Sequence, residues 1–211
     1  WETAAPANVW TPVPYFSGTL DGQGHSISGV YVTGDNRVGF ISIADGAVIR
    51  NLQMLNSYIG ATSTNWAVMA GAVVGDSYYG GAVYENLVVD AIVKGMLKEG
   101  NTYPDGAVGG ITGIVRDQTK DVVFRNCVMV GRVDSNARSI GGLMGYAVGI
   151  NNPITMENCV NAAAVSSPEY STGYYVGGLI GTGASTINLT NCVSLGTVSA
   201  GQGPSSFVGQ S

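Results

Sequence analysis

Charged side chains and histidines are scarce in this sequence. Only 11% of the 211 residues are charged, the formal net charge is −5, and His25 is the one histidine. A nucleic-acid-binding surface needs clustered Lys and Arg to neutralise phosphates, so we predict no nucleic-acid partner. A zinc peptidase of the His-Glu-x-x-His type needs two histidines, which excludes that activity for this sequence.

Long hydrophobic runs and nucleotide-binding motifs are missing as well. No apolar run approaches the ~18 residues of a membrane-spanning helix, so we predict no membrane insertion. The segment GQGHSISG, from Gly22 to Gly29, begins like a dinucleotide-binding loop. No helical pattern follows it to receive a phosphate, and we predict no cofactor.

Glycine is abundant, with 32 residues, and it marks an internal repeat. A Gly-x-apolar element recurs at intervals of 32, 38, 32, 36 and 32 residues. Self-similarity at such a period is typical of stacked repeats, because one unit cannot bury its apolar face alone. The repeated glycines are Gly39, Gly71, Gly109, Gly141, Gly177 and Gly209.

An asparagine recurs in step with the glycine. It closes a short apolar segment at Asn51, Asn86, Asn126, Asn158 and Asn191. The positions two and four before it are apolar in every repeat, which is the period-2 pattern of a half-buried strand. A second apolar column follows the glycine, at Ile41, Val73, Ile111, Leu143 and Leu179.

Strands of like phase that recur once per repeat stack best in parallel, ~4.8 Å apart. The sequence therefore predicts an all-β fold, a right-handed parallel β-helix (β-solenoid) of about six coils. We expect the asparagines to form a ladder of buried side-chain amides, at a bend where asparagine tolerates left-handed backbone geometry. We expect an N-terminal segment and opening coil over 1–37, and one continuous domain of repeats over 38–211.

Two further columns accompany the asparagines. Cys127, Cys159 and Cys192 follow them directly, in the slot that leucine fills in earlier repeats, so we expect reduced core cysteines and no metal site. The residues directly before the asparagines alternate in charge, which predicts a ladder of opposite charges that fixes the register. That column is Arg50, Glu85, Arg125, Glu157 and Thr190.

These motifs resemble the GLUG-motif repeats of bacterial surface and secreted proteins, some of which are attached to IgA-cleaving metallopeptidases. The matching segments are GGITG at Gly109, GGLMG at Gly141 and GGLIG at Gly177. The segment from Phe16 to Val30 is similar to the opening coil that commonly precedes such repeats. The resemblance implies an extracellular or cell-surface location in bacteria, with adhesion or surface organisation as the role.

Tyrosines in turn-rich stretches offer possible binding loops for a carbohydrate or a protein, although packing over the coil edges explains them equally. They are Tyr78, Tyr79, Tyr103, Tyr170, Tyr174 and Tyr175. Polysaccharide lyases and glycosidases on β-helices need clustered carboxylates, or carboxylates with calcium and a basic residue, on one outer face. The candidates for that are Glu85, Asp90, Lys94, Lys98, Glu99, Asp105, Arg116, Asp117, Lys120 and Asp121. Solvated loop charges are the other explanation of these charged residues in the two middle repeats.

Two function classes follow from this sequence. The first is a non-catalytic extracellular module for adhesion, surface structure or head-to-tail assembly, completed by an identical subunit or by further domains of a longer chain. The alternative is a carbohydrate-active enzyme, or a fragment of one. The motifs identify no catalytic, cofactor-binding or metal-binding residue for either class.

Overall fold

A computed structural model describes residues 6–64, 66–99, 106–149, 151–168, 175–183, 186–200 and 207–210. This part of the chain is all-β, with 25 strands and no helix.

The first three repeats contain strands β1 to β12. These are β1 Val13–Phe16, β2 Thr19–Asp21, β3 Ser26–Ser28, β4 Tyr31–Gly34, β5 Arg37–Val38, β6 Ile41–Asp45, β7 Val48–Ser63, β8 Met69–Ala70, β9 Val74–Tyr78, β10 Ala82–Leu97, β11 Ala107–Gly109 and β12 Thr112–Arg116. The later repeats contain β13 Val122–Arg125, β14 Val128–Ser135, β15 Ser139–Gly141, β16 Met144–Val148, β17 Ile154–Glu157, β18 Val160–Asn161, β19 Ala164–Ser166, β20 Tyr175–Gly177, β21 Ile180–Gly183, β22 Ile187–Thr190, β23 Val193–Ser194, β24 Val198–Ser199 and β25 Val208–Gln210.

Successive repeats contribute strands to the same three sheets. The seven-stranded sheet has the order β1-β6-β9-β12-β16-β21-β25, and the five-stranded sheet has the order β5-β8-β11-β15-β20. The 13-stranded sheet holds the remaining strands, and the long β7 and β10 each pair with several shorter ones. All of these pairings are parallel. Neighbours in a sheet therefore lie one repeat apart along the chain.

The registers place equivalent residues of successive repeats side by side. Gly141 pairs with Gly109 and Gly177, while Phe124 pairs with Tyr84 and Met156. One column predicted from the sequence is wrong at its first member, because Ile41 pairs with Val74 and not with Val73. In β7 and β10 a single strand runs through the asparagine, where the sequence suggested two separate strands.

The inner columns of the 13-stranded sheet form a continuous buried core. The rings of Tyr84 and Phe124 stack with centroids 4.8 Å apart. The hydroxyl of Tyr84 is satisfied by a hydrogen bond with Ser77, as a buried phenol requires. Burial raises the pKa of Tyr84 to about 12, so the phenol stays neutral in the core at ordinary pH.

The repeated glycines lie where two sheets meet backbone to backbone. A Cβ atom on Gly141 would stand 2.0 Å from the carbonyl oxygen of Met144, and one on Gly110 would stand 2.1 Å from that of Gly142. Since real Cβ atoms do not approach an oxygen so closely, no other residue fits there. The glycines of the GGxxG segments are therefore required by the close backbone packing at the turns that join the five-stranded to the seven-stranded sheet.

The first and last repeats are covered to different extents. Near the N-terminus the ring of Trp10 stacks on Phe40, with centroids 4.6 Å apart, and its Nε1 donates to the Phe40 carbonyl oxygen at 3.2 Å. In the last repeat Leu189 continues the column of the buried Phe124 and Met156, yet it is 37% exposed. Part of the core column is therefore open to solvent at β22.

We predict that Gly141→Ala lowers the free energy of unfolding by about 2 kcal/mol or more, because the new methyl group must displace backbone atoms. Gly34→Ala is the matched control, since a Cβ atom there would meet one side-chain methyl group, Cγ2 of Val38 at 3.3 Å, and no backbone atom within 4 Å. Urea denaturation should show a loss for the first variant and a change within ~0.5 kcal/mol for the second. Equal effects would contradict the close-approach explanation.

Candidate binding surface

The five repeated asparagines adopt the same left-handed backbone conformation and are joined in series. Their φ values are 53° to 54°, a region that asparagine enters more easily than other non-glycine residues. From Asn86 onward, each asparagine side chain donates from its Nδ2 to the Oδ1 of the asparagine in the preceding repeat. The N···O distances are 2.8 Å for Asn86 to Asn51, 2.8 Å for Asn126 to Asn86, 3.0 Å for Asn158 to Asn126 and 3.2 Å for Asn191 to Asn158.

The expectation that these amides are buried is wrong. Asn51 is half-buried, and the other four asparagines of the row are exposed. Because these side-chain amides are exposed, water competes for their hydrogen bonds. Each bond therefore contributes less than a buried one, and the requirement for positive φ accounts for a larger share of the preference for asparagine.

Asp21 receives the first bond of the row, in the repeat where Gly22 takes the place of asparagine. Its Oδ1 accepts from Nδ2 of Asn51 at 3.0 Å and from the N–H of Gln23 at 3.0 Å. Its Oδ2 accepts from Nε of Arg50, also at 3.0 Å. The hydrogen bond from Asn51, followed by that from Gln23, lowers the pKa of Asp21. The row thus begins on an ionised carboxylate that acts only as an acceptor.

The column of alternating charge lies beside the asparagines. Arg125 pairs in register with both Glu85 and Glu157, and its guanidinium contacts them at 3.3 Å and 2.8 Å. Arg50 contacts Asp21 of the preceding repeat. Solvent screens these partly exposed pairs, so they add little stability, but like charges in register would oppose the pairing.

The three cysteines are free and continue the core column after the asparagines. Cys127 and Cys159 are buried, whereas Cys192 in the last repeat is only half-buried. The expectation of a fully enclosed cysteine column is therefore wrong at Cys192, because no described strand covers the outer side of its repeat. A hydrogen bond with Cys159 and burial raise the pKa of Cys127, and burial raises that of Cys192.

The structure separates the tyrosines that the sequence suggested as binding loops. Tyr78 ends β9 and Tyr79 follows it, so these two are adjacent. Tyr175 begins β20 in the five-stranded sheet, where the guanidinium of Arg138 lies 5.6 Å from its ring centroid. Tyr78 and Tyr175 are thus at strand ends and not in loops. Tyr103, Tyr170 and Tyr174 lie outside the described residues.

Tyr78 and Tyr79 belong to a larger group, which we call the corner surface: Tyr15, Asp45, Tyr78, Tyr79, Arg116 and Asp117. These residues lie at or beside the ends of β1, β6, β9 and β12, where the seven-stranded sheet meets the next turn. Asp45, Tyr78 and Arg116 pair in register. Tyr15 donates from its hydroxyl to Asp45, and this bond raises the pKa of Tyr15.

The aromatic rings of the corner surface contact each other and a cation. Tyr78 and Tyr79 meet edge to face, with centroids 4.0 Å apart. The Cζ atom of Arg116 lies 4.4 Å from the centre of the Tyr78 ring, within the range of a cation–π interaction. Tyr15 and Tyr79 are 55% and 47% exposed, so two tyrosine rings on this surface are available to a partner.

A buried carboxylate, that of Asp76, binds the arginine of the corner surface. Asp76 is fully buried, and its Oδ2 accepts from Nε of Arg37 at 2.7 Å and from Nη2 of Arg116 at 2.9 Å. The hydrogen bonds to Asp76 hold the guanidinium of Arg116 over the ring of Tyr78, and they also raise the pKa of Arg116. Beside them Gln118 accepts from the N–H of Gly81 at 2.6 Å and donates to the carbonyl oxygen of Ser77 at 3.0 Å.

Tyr79 and Asp117 occupy a position that demands left-handed backbone geometry. In register-equivalent places after the strands of the seven-stranded sheet stand Gly46, Tyr79, Asp117 and Gly149, with φ of 62°, 55°, 54° and 66°. Glycine adopts this conformation without strain, whereas a tyrosine pays roughly 1 kcal/mol or more. The backbone therefore favours glycine at both positions.

Sequence reasoning missed Tyr15, Asp45 and Asp76 as members of this region. The signal was obscured because Asp45 stands six residues after Gly39 while Tyr78 stands seven after Gly71. An alignment on the glycines therefore places the two residues in different columns. Correct alignment would have shown Asp45, Tyr78 and Arg116 as one column of polar and aromatic residues.

The charged residues suggested for polysaccharide chemistry are distributed over several sites. Glu85 pairs with Arg125 on the 13-stranded sheet, Arg116 and Asp117 belong to the corner surface, and Asp105 lies outside the described residues. Within the described ranges, no three His, Cys, Asp or Glu side chains group so that they could hold a metal ion. The same ranges contain no helix of the length and hydrophobicity needed to span a membrane.

Comparison with known proteins gives a likeness of fold. No protein-family model and no curated protein matches the sequence. A crystal structure of a candidate immunoglobulin A1 protease from Bacteroides ovatus is similar, with a TM-score of 0.59 and 18% sequence identity. The similarity covers 90% of this chain and 68% of that chain. At this identity the likeness concerns the fold alone.

We predict that Asn126→Ala lowers the free energy of unfolding by about 1 to 2 kcal/mol, because alanine resists positive φ and the row loses two exposed hydrogen bonds. Asn126→Gly should recover the conformational part and cost less than the alanine variant. Chemical denaturation of both variants measures the difference. Equal losses for alanine and glycine would contradict a conformational role for the asparagine.

We predict that one thiol of the three reacts with Ellman's reagent in the native protein, and that all three react after unfolding. Cys192 should be the reactive one, slowly, because its half-buried thiol has a raised pKa. Cys192→Ser is the control and should leave no reactive thiol before denaturation. Native reaction of two or three thiols would show that the cysteine column is open to solvent.

Proposed function

We propose that the chain is a non-catalytic β-solenoid module of an extracellular or surface-exposed bacterial protein. In this proposal the three sheets wind as a right-handed parallel β-helix of about six coils, and the asparagine row is a ladder that pins one coil on the next. The parallel sheets with one-repeat spacing and the likeness in fold to the Bacteroides protein support the β-helix in this proposal. The GLUG-type glycine segments support membership of that repeat family.

The observation that carries the non-catalytic role is the use of polar side chains within the stack. The asparagines bind one another, Arg125 binds two glutamates, and the buried Asp76 binds two arginines. Active sites hold polar groups ready for a substrate, with partners that change during the reaction. Here the polar groups support the scaffold, which is what a module for adhesion, surface structure or assembly requires.

The partner of such a module is a carbohydrate, another protein, a second copy of the chain or a further domain. Head-to-tail stacking would bring the last repeat against the first repeat of another copy. In that contact Asn191 would face Gly22, which has no side-chain amide to continue the row of asparagines. The asparagine row would therefore not continue across such a contact.

A polysaccharide-active enzyme is the alternative function, and one assay separates it from the scaffold. We expect no release of reducing ends and no absorbance from unsaturated uronates when the chain is incubated with a panel of neutral and acidic polysaccharides, with and without calcium. A glycosidase and a lyase of known activity serve as positive controls. Steady product release that scales with the concentration of this chain would overturn the non-catalytic proposal.

A further inference from the structure

We propose that the corner surface is a binding site for a neutral carbohydrate chain, with Tyr79 as its central contact. This inference rests on the proposed function, since it gives the scaffold a specific ligand class. Three properties of the surface lead to it: the conformation of Tyr79, the pairing of the charges, and the placing of tyrosine rings next to hydrogen-bond acceptors.

The fold itself does not need a tyrosine at residue 79. The equivalent positions in two other repeats are Gly46 and Gly149, and all of them have positive φ. Tyr79 adopts this disfavoured conformation while leaving 47% of its side chain in solvent, so core packing does not compensate the strain. An exposed aromatic residue held in a strained conformation points to a role outside folding.

The neighbours of Tyr79 are rigid, as a binding surface requires. The backbone N–H of Gly81 donates to the side-chain oxygen of Gln118. The N–H of Thr119 donates to the carbonyl oxygen of Tyr79 at 3.2 Å. The Tyr78 ring is held between Tyr79 and Arg116. A pre-organised surface loses little entropy when a ligand binds.

The charges on this surface favour an uncharged ligand rich in hydroxyl groups. Both arginines of the region, Arg37 and Arg116, bind the buried Asp76. The carboxylates of Asp45 and Asp117 lie nearer to solvent. Asp45 accepts from the hydroxyl of Tyr15 and the N–H of Gly80, and Asp117 lies 3.8 Å from Nη1 of Arg116 with 48% of its side chain exposed. The remaining lone pairs of these oxygens accept hydrogen bonds from hydroxyl groups, whereas the two carboxylates repel a uronate or a sulfated sugar.

The mixture of aromatic rings and hydrogen-bond acceptors on this surface favours a carbohydrate. Tyrosines next to hydrogen-bond acceptors match a sugar, whose apolar C–H faces stack on rings while its hydroxyl groups bond to the rim. Because Tyr15, Asp45, Tyr79 and Asp117 come from four successive repeats, the surface runs along the direction of stacking and suits a linear chain.

The test uses a glycan array of neutral and acidic oligosaccharides, followed by calorimetry with the neutral oligosaccharide that binds best. We expect the wild-type chain to bind neutral members and Tyr79→Gly to weaken that binding at least tenfold. The melting temperature of Tyr79→Gly should stay unchanged or rise, because glycine suits the backbone there. Tyr79→Phe keeps the ring and should bind within a few-fold of wild type.

Trp66→Gly is the matched control, since it removes an aromatic residue that is 61% exposed and lies outside the corner surface. It should bind as tightly as wild type. Binding of acidic glycans only, binding that Tyr79→Gly leaves intact, or the absence of any binding would overturn the proposal. The proposal would also be overturned if no glycan on the array binds and the chain instead binds a protein through Tyr79.

The outcomes also separate this site from the proposed function. A chain that binds neutral glycans through Tyr79 and also shortens them would keep the site and refute the non-catalytic role. A chain that neither binds nor cleaves them would refute the site and leave the scaffold function standing.

Discussion

Parallel stacking at a spacing of one strand is the constraint on which the rest of this structure depends. Because each repeat must lie on the previous one, equivalent residues adopt the same backbone conformation in turn. Asparagine recurs where φ is about 53°, and glycine recurs where Gly141 and its equivalents leave no space for a Cβ atom. The motif residues are therefore consequences of stacking geometry, and they carry little information about chemistry.

The same constraint explains where function can reside in such a scaffold. The inner columns are filled by the core, and the asparagine and charge columns hold neighbouring repeats in register. Positions that stacking does not restrict are left at corners and on outward faces. Tyr79 is informative because stacking does restrict its backbone, and the residue there is the one that the backbone disfavours.

The ends of the stack show what each repeat receives from its neighbours. Phe124 and Met156 are fully buried between adjacent repeats, whereas Leu189 in the same column is 37% exposed. Cys192 is similarly more open than Cys127 and Cys159. Full burial of an inward-facing residue in this fold therefore requires a repeat on both sides.

The sequence by itself determined the strands, their one-repeat spacing and the columns around the asparagines, because these follow from periodicity. It misjudged the burial of the asparagines and the environment of Cys192, since exposure depends on what lies beside a column. It also missed the grouping of Tyr15, Asp45 and Tyr78, because the repeat of Gly39 has one residue fewer between the glycine and the strand that follows. Only the tertiary structure, which sets register across repeats and brings the buried Asp76 beneath Arg116, decided where a binding surface could form.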